Sequence, residues 1–206
     1  MSRQNRVDPA GRLVATAARG TLMGNRGCLH NDRGNIVRTT ARDAWVTCLL
    51  EFKGRRRTVM QPGHYTELFF LDEATALAAG HRPCAECQRD RYAAYLEAWM
   101  RTFGLTKRPT AKDVDAVLKS QRGKLSAIDG SEAASLPTGA ILGNAASGDF
   151  FLVAAGRTYP WTFTGYSSPV PGMAGARGLQ LVTPPCQLAL LRAGYLPKLH
   201  RSVAIA

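Results

Sequence analysis

No stretch of this chain approaches the roughly 18 to 20 consecutive apolar residues needed to cross a bilayer. The opening residues, MSRQNRVDPAGRLVATAARG, also lack the apolar core of a secretory signal. No membrane partner is therefore expected, and the expected location is cytoplasmic. Cysteine is sparse and odd in number, five in 206 residues, which excludes a fully paired disulfide framework; in a reducing compartment such thiols are metal ligands or buried side chains. Several chemistries have no motif to carry them: there is no G-x-S-x-G, no Walker loop, no dinucleotide fingerprint and no H-E-x-x-H. No internal repeat is visible.

Acidic residues are scarce, 15 against 27 Lys and Arg, leaving a net charge of +12. The surplus is uneven. Residues 1–57 hold 12 Lys or Arg against 4 Asp or Glu, residues 58–104 hold 4 against 6, and the remainder 11 against 5. A basic pole of this size attracts polyanions, so a nucleic-acid footprint stands beside the plainer reading of a solvated basic surface.

The chain reads as α+β. RLVATA, TLMGNRGCLH and AWVTCLLEF are strand-like, and two hairpins are expected, one turning at Asn31–Asn35 and one at Lys53–Arg55. YTELFF alternates like a half-buried strand and ends at Asp72, a natural cap for the short helix EATALAAG that Gly80 closes. Tyr92, Tyr95, Leu96, Trp99 and Phe103 recur at helical spacing over residues 85–103. TAKDVDAVLKSQRG offers another helix, capped by Thr110, with Val114, Val117 and Leu118 on one side. A polar stretch follows, and beyond it AILGN, DFFLVAAG, TYPWTFTGY and LQLVTP return to strands before a helix in PPCQLALLRAG. The expected domains are 1–104, 139–206 as a small β-rich unit, and a helix and linker at 105–138 between them.

The run HRPCAECQ places Cys84 and Cys87 as C-x2-C at the mouth of a helix. That spacing lets two thiolates face one ion while amides near the helix N-terminus stabilise their charge. The pair fits a zinc half-site, a thioredoxin-like redox pair or two unrelated thiols; the absence of a preceding βαβ pattern argues against the second. A closed structural zinc site needs four ligands. Upstream candidates are Cys28, His30, Cys48 and His64, with His81 nearer the pair; Cys48, Cys84 and Cys87 are favoured, with His30 or Cys28 as the fourth. Strand alternation would let Cys28 and His30 approach one ion together.

YTELFFLDEATALAAGHRPCAECQR resembles a segment of the metal-binding N-terminal domain of the bacterial Ada DNA-repair family over about 25 residues, 65–89. The chain as a whole is also similar to bacterial proteins carrying ARGTLMGNRGCLH. The Ada resemblance implies a zinc-stabilised β-hairpin and helix domain and a zinc held by four cysteines, with Cys84 and Cys87 as the downstream pair. In that family the upstream pair is spaced C-x3-C, and one of its cysteines accepts a methyl group from a DNA phosphotriester. This chain has no C-x3-C, and a mixed site of three thiolates and an imidazole is a weaker nucleophile than four thiolates.

Further signals are the loop RGTLMGNRG, whose Arg19 and Arg26 could meet a phosphate, and KGRRR, whose Arg55, Arg56 and Arg57 could contact a nucleic-acid backbone. Each has a structural counterpart: tight turns that need glycine, and a solvated turn. Tyr159, Trp161 and Phe163 share a strand face that is either core or a stacking platform for bases. Cys186 opens a helix, where a thiol pKa can fall. Three functions remain: a zinc protein contacting nucleic acid, a repair-type enzyme with a zinc-bound acceptor thiolate, and an interaction protein with neither role.

Overall fold

A mixed α+β architecture of two six-stranded sheets and four helices is seen in the computed structural model, which describes residues 2–55, 58–170 and 172–203. The first sheet contains β1 (Gln4–Val7), β2 (Leu13–Ala15), β3 (Leu22–Asn25), β4 (Val46–Cys48), β5 (Leu68–Phe70) and β6 (Arg82–Pro83), in the order β2-β1-β5-β3-β4-β6. Between β5 and β6 lies helix α1 (Glu73–Ala78); α2 (Arg89–Phe103) and α3 (Ala111–Gln121) follow. The second sheet contains β7 (Ser126–Ala127), β8 (Ile141–Asn144), β9 (Phe150–Ala154), β10 (Arg157–Thr162), β11 (Gly165–Tyr166) and β12 (Leu179–Leu181), all pairs antiparallel, and α4 (Pro185–Arg192) closes the set. Among the described residues no helix is long and apolar enough to cross a membrane.

Helix α1 is short, but all six of its residues are buried. Ala76, with Ala79 just beyond the helix, packs on the first sheet through Val7, Leu29, Leu68 and Phe70. Ala74 and Ala78 pack on the second sheet through Ile141, Leu152 and Tyr159. Leu77 joins the cluster formed by Tyr95, Trp99, Leu118 and Leu191 from α2, α3 and α4. The polar stretch at 124–138 carries β7 of the second sheet, and residues on both sides of it share one apolar cluster. Asp72 caps α1 by accepting from the Thr75 amide at 2.9 Å, as its sequence position implies. Gly80 then turns left-handed at φ +79°, and a Cβ there would stand 2.6 Å from Arg122 Cγ, so only glycine fits.

Three expectations change. Among the described residues no strand follows Lys53–Arg55 to make the second hairpin: β4 stops at Cys48 with both its edges taken, by β3 antiparallel and by β6 parallel, so a returning strand has no ladder to join. Helix α2 begins at Arg89 rather than 85, because residues 84–88 are used as a turn. Phe103 and Val117, expected on apolar faces, are 43% and 36% exposed. The Asn31–Asn35 turn is present, with the Asn31 side chain accepting from the Arg33 and Asn35 amides above a single bridge between His30 and Ile36.

The chain end is tied back to α1. Glu73 accepts from the Lys198 amide and from Arg91, and is hydrogen-bonded by the Tyr195 hydroxyl. Asp72 accepts from the Tyr166 hydroxyl and the His200 amide, each at 3.0 Å.

Candidate metal centre

Parallel pairing of β4 with β6 is what brings Cys48 to the C-x2-C turn. The Cys84 amide continues the ladder by donating to Thr47 O at 2.9 Å. Gln88 then clamps the far side of the turn: its Nε2 donates to Thr47 O at 2.9 Å and to Thr47 Oγ1 at 3.0 Å. The sulfurs of Cys48, Cys84 and Cys87 consequently lie within 4.8 Å of one another, with no disulfide among them. Three such sulfurs can hold a metal ion. A tetrahedral zinc with bonds of about 2.3 Å sets its sulfurs roughly 3.8 Å apart, a spacing this cluster accommodates.

The three thiols differ electrostatically. Cys84 is lowered to about 5, first because the Cys48 thiol donates to it and then because the amides of Cys87 and Glu86 do; the Glu86 N–H lies 3.4 Å from its sulfur. Cys48 is pushed well up by that same donation and by burial. Burial also raises Cys87, against a bond from the Leu49 amide. One thiolate is thus stabilised by the protein alone, and a cation is needed to hold all three deprotonated.

Beside the sulfurs opens a cavity of about 460 Å³, walled by the three cysteines with Leu49, Leu50, Phe52 and Phe69, and carrying Arg42 and Arg55. Arg55 is held by Glu86 at 2.7 Å. Among the described residues no fourth Cys, His, Asp or Glu joins the cluster. Cys28 and His30 are not brought to it. The Cys28 thiol lies 3.5 Å from His30 O, and His30 uses both ring nitrogens: Nε2 donates to Gln61 O at 3.2 Å, and Nδ1 accepts from Thr66 Oγ1 at 2.6 Å. That tautomer follows because a carbonyl only accepts. His64 is exposed on a turn, and His81 is buried on the opposite side of the sheet from the sulfurs, accepting from Arg26 at 3.1 Å. Cys186 stands at a helix start, where a thiol pKa can fall, and is instead pushed up to about 11 by burial.

The predicted phosphate contacts also separate. Arg19 is exposed and lines a second cleft with Lys198 and Arg201. Arg26 is 1% exposed, so it does not serve a polymer passing over the surface; just past the end of β3 its side chain turns inward to His81 and Gly11 O. Arg55 is exposed but paired, and Arg56 and Arg57 lie outside the described residues. Of the aromatic strand, Tyr159 and Tyr166 are core, while Trp161 is half-buried and donates to Thr75 Oγ1. Sequence reading passed over Thr47, Gln88 and Arg42. The signal for Gln88 was its place directly after C-x2-C, where an amide can bridge to the neighbouring strand.

Comparison with protein-family profiles, curated proteins and solved structures finds no match.

Proposed function

We propose that this is a zinc-binding protein that contacts nucleic acid, the zinc fixing β4 to the turn that enters α2. The convergence of Cys48, Cys84 and Cys87 carries the reading. Their sulfurs are the soft donors zinc prefers, and β4 and the 84–87 turn are short segments that gain from a tie. When bound, the ion keeps the thiolates deprotonated at neutral pH. Gln88 and Thr47 hold the two segments in register, and the Glu86 amide steadies the charge on Cys84.

The nucleic-acid half of the reading is supported by the net charge of +12 and by a cleft of about 630 Å³ that carries Arg19, Lys198 and Arg201. Its acidic wall residue, Glu73, is consumed by Arg91, Tyr195 and the Lys198 amide. Leu49 lines both this cleft and the cavity at the cysteines, so a strand lying in one passes beside the other. The test is metal analysis of the purified protein together with binding to single- and double-stranded DNA across salt. One zinc per chain, lost in Cys84→Ser, and a steep salt slope reduced in Arg19→Ala with Arg201→Ala support the reading; a metal-free protein overturns it.

A second reading is favoured by the cavity. Three sulfurs supply one donor fewer than a closed site, and the position four after Cys48, where a C-x3-C pair would place its second thiol, holds Phe52 on the cavity wall. In an alkyl-acceptor reaction a Cys48 sulfur would attack the methyl carbon of a phosphotriester; the S–C bond forms as the C–O bond breaks, and the phosphodiester leaves with the electron pair. A methyl adduct on the Cys48 peptide after incubation with methylated DNA selects this reading.

A further inference from the structure

The cavity at the cysteines has a polar corner that the sulfurs leave unused. Met23 of β3 pairs with Phe69 of β5 on one side and with Cys48 of β4 on the other, so the three share one face of the first sheet. Leu68 and Phe70 point to the opposite face, where they are buried against Ala76 of α1. Carried one step past Gly24 and Leu68, the same register sets Asn25 opposite Glu67, on the face of Met23 and Phe69. All four side chains line the cavity of about 460 Å³.

Asn25 and Glu67 are only 8% and 3% exposed, yet each is half satisfied. Asn25 Oδ1 accepts from the Gly27 amide at 2.8 Å; only the oxygen of an amide accepts, so Nδ2 is the end left over. Glu67 Oε2 accepts from the Met60 amide at 2.7 Å. Among the described residues neither Asn25 Nδ2 nor Glu67 Oε1 has a hydrogen-bond partner, and neither atom is sealed inside protein. Deeply buried polar side chains are nearly always bonded in full. A donor and an acceptor left facing each other across two strands, both on a cavity wall, therefore call for a ligand that carries the complementary pair.

The rest of the cavity narrows the choice of ligand. Its volume falls in the range of roughly 300–1,000 Å³ that holds small molecules, and Leu50 and Phe52 give it an apolar side. Phe69 already carries the Arg6 guanidinium over its ring at 4.8 Å, which leaves Phe52 as the ring on which a flat group can stack. Arg42, an exposed lining residue, spends Nε on Ala44 O at 2.9 Å and keeps its terminal nitrogens for an anion. Leu49 joins the cavity to the cleft that carries Arg19, Lys198 and Arg201. An apolar slot with a donor and an acceptor at one edge and cations outside it matches a nucleobase, whose Watson–Crick edge presents an acceptor beside an N–H donor and whose sugar and phosphate stay in water.

We propose that this cavity takes one nucleobase of a single strand, its edge bonded to Asn25 Nδ2 and Glu67 Oε1, its ring against Phe52, and its backbone held outside by Arg42 and the cations of the cleft. The proposal rests on the nucleic-acid reading above and names the part of the strand that the chain reads. A duplex keeps that edge paired, so the occupant comes from a single strand. Neither Asn25 nor Glu67 belongs to the cysteine cluster, so capture of a base and retention of zinc are separable.

Fluorescence anisotropy compares binding of the full chain to a labelled single-stranded oligonucleotide and to a strand of the same length and charge made of abasic sugar phosphates. The intact strand is expected to bind about tenfold more tightly, the scale of a bonded edge and a stack. Glu67→Gln keeps an acceptor for the Met60 amide and puts a donor where Oε1 stood; Asn25→Asp keeps the acceptor for the Gly27 amide and removes the donor. Each should erase the preference for the intact strand, a ratio that does not follow the charge each change adds or removes. Phe52→Ala, at a half-buried wall residue, should reduce the preference as well, and it decides the matter if either floor variant loses its thermal transition. Equal affinity for the two strands in the native chain, or a preference unchanged in the variants, overturns this proposal and leaves the nucleic-acid reading standing. Failure of both strands to bind removes that reading, and the base site with it.

Discussion

Arg82 and Asp115 form a bidentate pair with both bonds at 2.7 Å, the side chains only 5% and 8% exposed. The pair joins β6, two residues before Cys84, to the middle of α3, so α3 also braces the C-x2-C turn. Removing the carboxylate leaves a buried cation unmatched. Asp115→Ala is expected to cost about 3–5 kcal/mol in urea denaturation. Arg82→Met combined with Asp115→Ala should recover part of that loss; a double variant as unstable as the sum of the singles would show that the ion pair is not the source.

Only three of the five thiols meet in the cluster that could hold a metal ion, Cys48, Cys84 and Cys87, and the proposed zinc site is theirs alone. Cys28→Ser and Cys186→Ser should therefore retain full zinc content, whereas Cys48→Ser, Cys84→Ser and Cys87→Ser lose it. Gln88→Ala removes the clamp on Thr47 without touching a sulfur, and it should weaken zinc roughly tenfold by the loss of ligand positioning. Competition with a chromogenic chelator reads all six variants.

His81 gives stability a pH dependence. It is wholly buried, and its pKa is held well below 6.5, by burial first and then by the charges of Arg26 and Arg122, against the carbonyls of Ala79 and Ala76. The unfolded chain binds this proton more readily than the native one, so His81's contribution is intact above about pH 6.5 and is lost progressively as pH falls below it. Asp72, raised by burial, pulls the other way in acid. The difference in Tm between wild type and His81→Gln cancels that term: Gln retains an acceptor for Arg26 but no titration, and the gap should narrow between pH 7.5 and pH 5. A constant gap would remove His81 as the cause.

Asp72 caps α1 and receives Tyr166 and His200. Asp72→Ala loses a cap, about 0.5–2 kcal/mol, and leaves the buried Tyr166 hydroxyl without its acceptor, about 1–3 kcal/mol more. Hydrogen exchange should show the damage at residues 166 and 200 as well as in the helix. Damage confined to α1 would argue that the cap alone matters.

Helices α1, α2 and α3 and the caps Asp72 and Thr110 were legible because spacing and capping are local. Cys84 and Cys87 were legible for the same reason, and Cys48 was found by ligand chemistry and strand alternation. What escaped was non-local. QNRV has one apolar residue in four, yet it is β1, because Asn5 is satisfied by Glu67 O and its neighbours pair with both β2 and β5. The lack of a returning strand after residues 53–55, among the described residues, has the same origin: β6, arriving from some thirty-five residues away, has the edge. Arg26 read as a surface cation because composition cannot tell which face of a strand is interior.

The carboxylates of Asp72 and Glu73 take their partners from residues 195–200, more than 120 positions downstream. During synthesis the first sheet and α1 emerge long before those partners exist. Until then Asp72 has Thr75 and Glu73 has Arg91, and each carboxylate still lacks the partners that residues 195–200 bring. Docking of residues 195–200 is therefore a late step, separable in time from formation of the first sheet, and it seals a helix that is already in place.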